Sequence, residues 1–470
     1  VARLARRWRL GVVDEFQDTD ARQYAIFRRI FARAGSALFL VGDPKQAIYR
    51  FRGGDIHAYA QAARDADRRW SLAGNWRADP ALVEAINALF ARGGAERPFL
   101  VDFIDYRASH WPAERKLEPS PWTTDAPLVL WHAASTGSGA RPARDAMTAL
   151  ATQATAAEIA RLLAHACAQG VPAPSIAVLA PTHRDLAAMA RTLRDWRIPA
   201  VAQERESVYA NPVVADLAHL LRALLDGGER AFAGAMALPL FGLPLAQLAA
   251  ARAQAGADAG WALREALREC WRERGPLALL LRVLAEVAPR WIGEAEGPRR
   301  HADLLQVGEF LEAQRAAGGG MDAELVWLEA RRHAAQAGLA ARDERPRPLE
   351  GTGAVRLLTT HAAKGLQFDV VFAPFLWRSR GGQRPVGEPP VQYHDASGIL
   401  RVDLGSPELE AHRQVQEIEM QQEGLRQAYV ALTRARRRCY TIWGRCRGME
   451  QAPLAALLHP QLAPDGVLAA

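Results

Sequence analysis

The chain has 470 residues, enough for two to four domains that each bury their own core. Hydrophobic residues make up 49% of it, yet no run approaches the ~18 apolar residues of a membrane helix, and no apolar segment follows the basic start. We therefore expect no membrane span and no signal peptide, and a cytoplasmic protein. The formal net charge of +7 suits a polyanionic partner.

The first predicted strand is the apolar run Leu10–Val13, which ends abruptly in the acids Asp14 and Glu15. Nucleoside triphosphatases use this design, in which one acid holds Mg²⁺ and a second polarises the attacking water. We expect Asp14 to bind the metal and Glu15 to act as the catalytic base. A surface strand with an acidic turn explains these two acids, but not the extension Gln17-Asp18-Thr19-Asp20.

A second strand is predicted over Ala37–Val41, and a helix over about 22–34 separates it from the first. Strand, helix and strand in this order form a parallel crossover, so both following loops emerge at the carboxyl edge of the sheet, where ligands bind. In the second loop Gln46 is placed to read a γ-phosphate, while Tyr49 and Phe51 project toward a nucleic acid. Core packing is the alternative for the two rings.

The string DEFQDTD resembles motif II of the superfamily 1A DNA helicases of the UvrD and RecB type. The string GDPKQAIYRFRGGD is similar to their motif III. This resemblance implies that Gln46 senses the nucleotide and that Tyr49 and Phe51, with Arg52 beside them, contact single-stranded DNA. Base stacking on such rings contributes roughly 1 to 3 kcal/mol per base.

Asn75-Trp76-Arg77, followed by a helix over about 81–91, resembles motif IV of that family. The resemblance implies that Trp76 stacks on the adenine base. It also implies that Arg77 acts as an arginine finger, stabilising charge on the γ-phosphoryl.

The next 270 or so residues are expected to hold structure rather than catalytic groups. Strands over Leu128–His132 and Ile176–Ala180 bracket a helix over about 147–169, and a helix over about 183–197 follows, which indicates the start of a second α/β domain. From 211 to about 345, Leu, Ala and Trp recur at helical spacing, which predicts an all-helical insertion. We expect its tryptophans to anchor the core: Trp261, Trp271, Trp291 and Trp327.

Two strands that flank the turn from His361 to Gly365 resemble motif V. The resemblance implies that Thr359 and His361 face the DNA backbone. Gln367 replaces the glutamate usual at this place, which in relatives contacts the nucleotide sugar.

The string YVALTRA is a near-complete match to motif VI, in which Arg434 is the second arginine that reaches the γ-phosphate. For the three following arginines, 436 to 438, we expect a solvated basic helix end.

The family resemblance implies an α/β protein with two RecA-like parallel-sheet domains, the first of them incomplete, and an all-helical insertion in the second. The expected divisions are 1–78 for the first domain with motifs II to IV, 79–209 and 351–446 for the two pieces of the second, 210–350 for the insertion, and 447–470 for a C-terminal tail.

The implied activity is that of a motor that uses ATP and Mg²⁺ to translocate 3′ to 5′ on DNA. The strings FQDTDARQYAIFRRIF and YVALTRA, with Tyr393-His394-Asp395, are most similar to the RecB branch. That branch implies single-stranded and duplex-end DNA as substrates, RecC- and RecD-like subunits as partners, and a role in double-strand-break repair and recombination.

Two parts of that family pattern are missing. No G-x-x-x-x-G-K-[ST] phosphate-binding loop occurs, and about 27 residues follow the motif VI strand, too few for a nuclease domain. We therefore expect a fragment without ATP turnover of its own. The alternative is a nucleotide-independent DNA-binding or assembly module that keeps motor residues.

Overall fold

The computed structural model describes residues 7–31, 35–50, 53–91, 98–115, 126–133, 143–202, 207–225, 228–241, 261–291, 297–337, 339, 344, 346–347, 354–378, 390–444, 446 and 448–459. The chain divides into two compact units, the first made of Val1–Ala202 with Gly353–Ala470 and the second of Gln203–Thr352.

The strands over these residues are, in chain order, β1 (Leu10–Val13), β2 (Ala37–Leu40), β3 (Leu128–Ala133), β4 (Ile176–Ala180), β5 (Ala200–Ala202), β6 (Val355–Thr359), β7 (Phe368–Ala373), β8 (Val391–His394), β9 (Leu400–Asp403) and β10 (Ala435–Gly444). The α-helices of the first unit are α1 (Ala21–Phe31), α2 (Ile56–Asp65), α3 (Pro80–Ala91), α4 (Arg144–Ala168), α5 (His183–Asp195), α12 (Leu409–Leu432) and α13 (Pro453–Leu458). Those of the second unit are α6 (Pro212–Leu225), α7 (Glu229–Ala237), α8 (261–274), α9 (Pro276–Trp291), α10 (Gly297–Ala316) and α11 (Met321–Gln336).

A six-stranded parallel sheet in the order β3-β10-β7-β4-β6-β5 forms the main core of the first unit. Strand β4 lies inside it, and all five of its residues are buried, as expected for an apolar strand covered on both faces. Helices α4 and α5 supply the crossovers before and after β4. Thr182 caps α5, its hydroxyl oxygen accepting the N–H of Asp185 at 3.2 Å.

Strands β1 and β2 pair in parallel, with α1 between them, as the apolar pattern predicts. Phe16, Tyr24 and Ala62 form a small core beside this pair, with the two rings edge to face at 5.6 Å. The crossover places the loops after both strands at one edge.

Strands β8 and β9 form an antiparallel hairpin that the sequence patterns did not indicate. Its turn uses Gly398 in a left-handed conformation, φ 74°, and the carboxylate of Asp395 accepts the N–H groups of Ser397 and Ile399. Helix α12 follows and leads directly into β10.

The sequence interpretation of arginines 436 to 438 as a solvated helix end is wrong. They lie within β10, and the side chain of Arg438 is buried, with its guanidinium donating to the carbonyl of Ala126 and to the hydroxyl of Tyr440. The apolar residues that follow extend the strand across these arginines, and Arg436 and Arg437 lie 3.6 and 3.8 Å from the carboxylate of Asp369.

The second unit is helical over its described residues. Trp271 and Trp291 anchor its core as predicted, and the indole N–H of Trp271 donates to the buried carboxylate of Glu324 at 2.6 Å. The same prediction is wrong for Trp261, which is 49% exposed, with Arg264 packed over its ring at 4.9 Å. The predicted insertion, 210–350, falls within this unit.

The α/β class with a large parallel sheet is confirmed. Within the described residues, no helix combines the length and apolar character that crossing a bilayer requires.

Candidate nucleotide and DNA site

The two acids predicted to be catalytic directly follow β1, and both are exposed. Glu15 has a left-handed backbone, φ 52° and ψ 38°, which is uncommon for a residue other than glycine. The Asp14 carboxylate accepts the Glu15 N–H at 2.9 Å and so supports the turn. Strain of order 1 kcal/mol is retained here because the surrounding contacts fix the conformation.

Gln17 links Glu15 to the neighbouring loop. Its side chain is buried, its amide donates to Glu15 Oε2 at 2.5 Å, and its carbonyl oxygen accepts the N–H of Asp43 at 3.0 Å. Gly42 permits this approach, because a Cβ there would lie 2.5 Å from Gln17 Oε1. The base and the loop after β2 are therefore held in one hydrogen-bonded arrangement.

Asp43 organises the loop that carries the predicted nucleotide sensor. Its carboxylate accepts the N–H of Lys45 at 3.0 Å and the side-chain amide of Gln46 at 3.1 Å, and it pairs with the Lys45 ammonium at 2.7 Å. Gln46 thus belongs to the network that begins at Glu15.

The residues after Gln46 are hydrogen-bonded to the turn after β6. Tyr49 is half-buried, and its hydroxyl donates to the carbonyl of His361 at 2.9 Å, while the His361 ring Nε2 lies 3.0 Å from the carbonyl of Ile48. The guanidinium of Arg426, on α12, donates to the carbonyl of Ala47 at 2.8 Å. Burial lowers the pKa of Arg426 to about 10.

Lys364 joins the same two segments by charge. Its ammonium donates to Asp18 at 2.5 Å and to the carbonyl of Gln46 at 3.2 Å, and lies 3.4 Å from Glu15 Oε2. The side chain of Lys364 is only 6% exposed. Burial raises the pKa of Asp18, and the hydrogen bond from Lys364 opposes that rise.

Replacing Lys364 with methionine should destabilise the chain by about 2 kcal/mol, because Asp18 would keep a partly buried charge without its partner. Urea unfolding followed by circular dichroism measures the loss. The double variant Lys364→Met with Asp18→Asn should recover part of it. Additive losses in this double-mutant cycle would show that the pair contributes no coupling.

Arg77 and Arg434 converge on Thr433. Arg77 donates to the Thr433 carbonyl at 3.3 Å, and Arg434 donates to the Thr433 hydroxyl at 3.1 Å and to the Val430 carbonyl at 3.0 Å. Within the described part of the chain, neither guanidinium forms an ion pair with a carboxylate. Burial first, and Arg77 second, lower the pKa of Arg434 to about 10.

The remaining predicted residues vary in their placement. Trp76 is 62% exposed and Gln367 is exposed, so the indole ring of the first and the amide of the second are open to a ligand. Thr359 ends β6, and its hydroxyl accepts the N–H of Ala362 at 3.2 Å. Phe51 and Arg52 lie outside the described residues.

Family models match two parts of the chain, which carry all of these residues except Trp76 and Arg77. Residues 1–67 match the UvrD/REP helicase N-terminal domain, and residues 333–445 match the UvrD-like helicase C-terminal domain. The chain carries N- and C-terminal domains of the UvrD/REP helicase type.

Curated relatives extend the similarity over most of the chain. The RecBCD enzyme subunit RecB of Mycobacterium tuberculosis (strain ATCC 25618 / H37Rv) is 32% identical over 452 residues, covering 94% of the chain and 40% of the relative. That of Mycolicibacterium smegmatis is 33% identical over 478 residues, which cover 99% of the chain and 42% of the relative. That of Escherichia coli (strain K12) is 30% identical over 457 residues, which cover 92% of the chain and 37% of the relative. The chain thus spans about two fifths of the length of these relatives.

Four residues of this candidate site received no role from the sequence: Gln17, Asp43, Lys364 and Arg426. The first three lie inside strings that resemble helicase motifs and Arg426 lies three residues before one, but the partners of Lys364 and Arg426 are more than 300 residues away, at Asp18 and Ala47. The scarcity of lysine was an available signal, since only three occur in the chain and two of them, Lys45 and Lys364, hold this site together.

Proposed function

We propose that the chain is part of an ATP-dependent DNA helicase that translocates 3′ to 5′ on single-stranded DNA and acts in double-strand-break repair and recombination. The observation that carries this proposal is the convergence of Arg77 and Arg434 on Thr433, with Glu15 and Asp43 within electrostatic range of Arg434. Two guanidiniums without a carboxylate partner are suited to an anionic ligand such as a triphosphate.

The donor set also fits Mg²⁺ and ATP. Asp14 presents an exposed carboxylate at the end of β1, and hard oxygen ligands of this kind are preferred by Mg²⁺. Bound ATP with Mg²⁺ would supply the γ-phosphoryl group that is transferred to water. Trp76 is exposed for stacking on the adenine, and Gln367 is placed by the family resemblance at the sugar.

The chain's own residues divide the chemistry among them. Asp14 would hold the metal, and Glu15, oriented by Gln17, would accept the proton of the attacking water. Arg77 and Arg434 would stabilise the charge that develops on the phosphoryl oxygens. Gln46 would report the nucleotide state through the Asp43 network.

The DNA side of the proposal uses the segment after Gln46. Tyr49 would stack on a base, with Phe51 and Arg52 beside it, and Thr359 and His361 would face the backbone. Because Tyr49 is bonded to the His361 carbonyl and Lys364 to the Gln46 carbonyl, nucleotide-sensing and DNA-facing residues share one network. A change at Gln46 would therefore be transmitted to the DNA contacts.

A strand-displacement assay tests the direction of movement. It requires a protein that contains this chain together with a phosphate-binding loop, and duplexes with a 3′ overhang, a 5′ overhang or blunt ends. We expect ATP-dependent unwinding from the 3′ overhang. Unwinding from the 5′ overhang alone would contradict the proposed direction, and the absence of any unwinding would contradict the helicase.

RecC- and RecD-like subunits are the proposed partners. The three relatives described above bear the name RecBCD enzyme subunit RecB, and their similarity covers 92–99% of this chain. Co-expression with such subunits, followed by size-exclusion chromatography, tests the assembly.

The 470-residue chain by itself should release no phosphate from ATP above background. Its sequence contains no G-x-x-x-x-G-K-[ST], and two arginines with a metal ligand do not position a γ-phosphoryl group without that cradle. A coupled phosphate-release assay with and without oligo-dT measures this. Sustained DNA-stimulated release by the purified chain would contradict the prediction.

The same missing sequence favours the second candidate, a nucleotide-independent DNA-binding or assembly module. That candidate predicts oligo-dT binding unchanged by ATP even when a phosphate-binding loop is joined to the chain. The helicase predicts that the joined protein regains ATP turnover.

Replacing Tyr49 distinguishes DNA stacking from packing. In the joined protein, alanine at both Tyr49 and Phe51 should weaken oligo-dT binding by about 2 to 5 kcal/mol, while DNA-free nucleotide binding stays near normal. Tyr49→Phe keeps the ring and should leave DNA affinity intact, but it should destabilise the fold by about 1 kcal/mol through the lost bond to His361. Fluorescence anisotropy at fixed salt measures the affinity, because phosphate contacts make binding depend on salt. Unchanged binding by the double alanine variant would assign the rings to packing.

A further inference from the structure

Three segments bring nitrogen and oxygen donors together. His57 lies in the first turn of α2, His394 ends β8, and Glu419 lies in α12. One ligand atom from each lies within 4.8 Å of the others, and the imidazole rings of His57 and His394 have centroids 4.5 Å apart. The three side chains are all partly buried.

The surrounding contacts fix the donors in place. His394 Nδ1 and its backbone N–H lie 2.9 and 3.0 Å from Glu419 Oε1, and the guanidinium of Arg50 lies 2.6 Å from the other carboxylate oxygen. Asp55 Oδ1 lies 3.6 Å from His394 Nε2, and it also accepts the backbone N–H of His57 at 2.7 Å, which caps the start of α2. The side chains of His394 and Glu419 are therefore each positioned by a second group.

The hairpin turn holds the third donor. A Cβ at Gly398 would lie 3.1 Å from His57 Nδ1, so only glycine lets the turn approach the ring this closely. The edge of His57 also packs against Phe103, with centroids 5.8 Å apart. The ring is confined between these groups.

We propose that His57, His394 and Glu419 form a binding site for a divalent transition-metal ion, Zn²⁺ in the first instance. Two imidazoles and a carboxylate are a ligand set that zinc uses, with a fourth position open to water. Zinc ligands lie at about 2.0 to 2.1 Å, which places ligand atoms about 3.4 Å apart, so side-chain movements of about 1 Å close the site.

The outer contacts match those of known metal centres. Zinc at His394 Nδ1 would take the place of the hydrogen shared with Glu419 Oε1, and the single proton of the neutral imidazole would then be on Nε2. His394 Nε2 would then direct its N–H at Asp55, the carboxylate–histidine–zinc arrangement that orients a ligand. Arg50 would hold the second oxygen of Glu419.

Bound metal would add a coordinate link between three segments that already contact one another through side chains. Helix α2 follows the segment of Gln46 and Tyr49, and α12 leads to Arg434. The ion would therefore tie the loop after β2 to the helix that carries motif VI, and binding would raise the stability of the first unit.

Metal binding by the 470-residue chain tests the proposal directly. Chain stripped with a chelator is dialysed against Zn²⁺, and bound metal is counted by mass spectrometry, with affinity obtained by competition against a chromophoric chelator. Co²⁺ serves as a spectroscopic probe, because visible bands report the coordination number. We expect one bound ion per chain and a dissociation constant of about 1 μM or tighter, as for a site with protein ligands fixed by outer contacts.

The variants His57→Ala and Glu419→Gln should each weaken binding at least tenfold and change the Co²⁺ spectrum. His219→Ala is the matched control, since this exposed histidine lies in α6 of the second unit and should leave binding unchanged. Circular dichroism confirms folding, and His57→Gln replaces His57→Ala if the alanine variant unfolds. Equal binding by wild type and both site variants, or no binding at 100-fold the expected constant, would overturn the proposal.

Discussion

Glu15→Gln should reduce ATP hydrolysis by two to four orders of magnitude while nucleotide binding is retained. The amide keeps the size of the side chain and its contact with Gln17, but it does not accept a proton from water. The contact survives because the glutamine carbonyl oxygen accepts the Gln17 amide as the carboxylate does. The expected loss therefore isolates the proton transfer from the architecture of the loop.

The measurement compares single-turnover hydrolysis and nucleotide titration in a protein that joins this chain to a phosphate-binding loop. Glu84→Gln is the control, an exposed glutamate on α3 with the same chemical change. Asp14→Ala should weaken Mg²⁺-nucleotide binding as well as turnover. Hydrolysis near the wild-type rate in Glu15→Gln would remove Glu15 from the role of base.

Arg77→Ala and Arg434→Ala should each lower turnover by about three to five orders of magnitude, the range for arginine fingers, while oligo-dT affinity stays near normal. Both guanidiniums meet at Thr433 rather than at the DNA-facing segment, so their removal leaves Tyr49 and His361 in place. This pattern is the reverse of that expected for the aromatic variants.

The two arginines should differ in stability. Arg434 is 1% exposed and bonded within its own helix end, so its alanine variant should also lower the melting temperature, whereas half-buried Arg77 should not. Arg434→Lys restores charge without the planar fork and should recover little turnover. Arg194→Ala, at an exposed position of α5, controls for loss of one positive charge. Weaker DNA binding by Arg77→Ala, with turnover intact, would assign that arginine to the DNA instead.

The apolar runs predicted the strands of the first unit closely, because a strand that is buried in the sheet needs apolar side chains along its length. The strand predicted over Ile176–Ala180 is β4 residue for residue, and that over Ala37–Val41 ends one residue early. Helix limits were less accurate: the helix expected over 147–169 is α4, Arg144–Ala168. Helix ends depend on local caps and contacts that hydrophobic periodicity does not report.

The contacts that assemble the site were not predictable in the same way. Asp18 and Lys364 are 346 residues apart, and nothing in the spacing of either motif names the other as partner. The β8–β9 hairpin was missed because its strands are short and half exposed, without the alternation that marks a buried face. The family resemblance implied that His361 faces DNA, but it did not indicate that the His361 ring Nε2 lies 3.0 Å from the carbonyl oxygen of Ile48.

Because the backbone at Glu15 is left-handed, stability and catalysis favour different residues at position 15. Glycine adopts φ near 52° without the steric cost of a Cβ, and asparagine does so more readily than glutamate. Either replacement would relieve strain of order 1 kcal/mol and remove the carboxylate. A library of this chain selected only for thermal resistance should therefore lose glutamate at position 15, whereas a lineage under pressure for DNA repair should keep it. Retention of this residue would then record selection for turnover, since stability alone disfavours it.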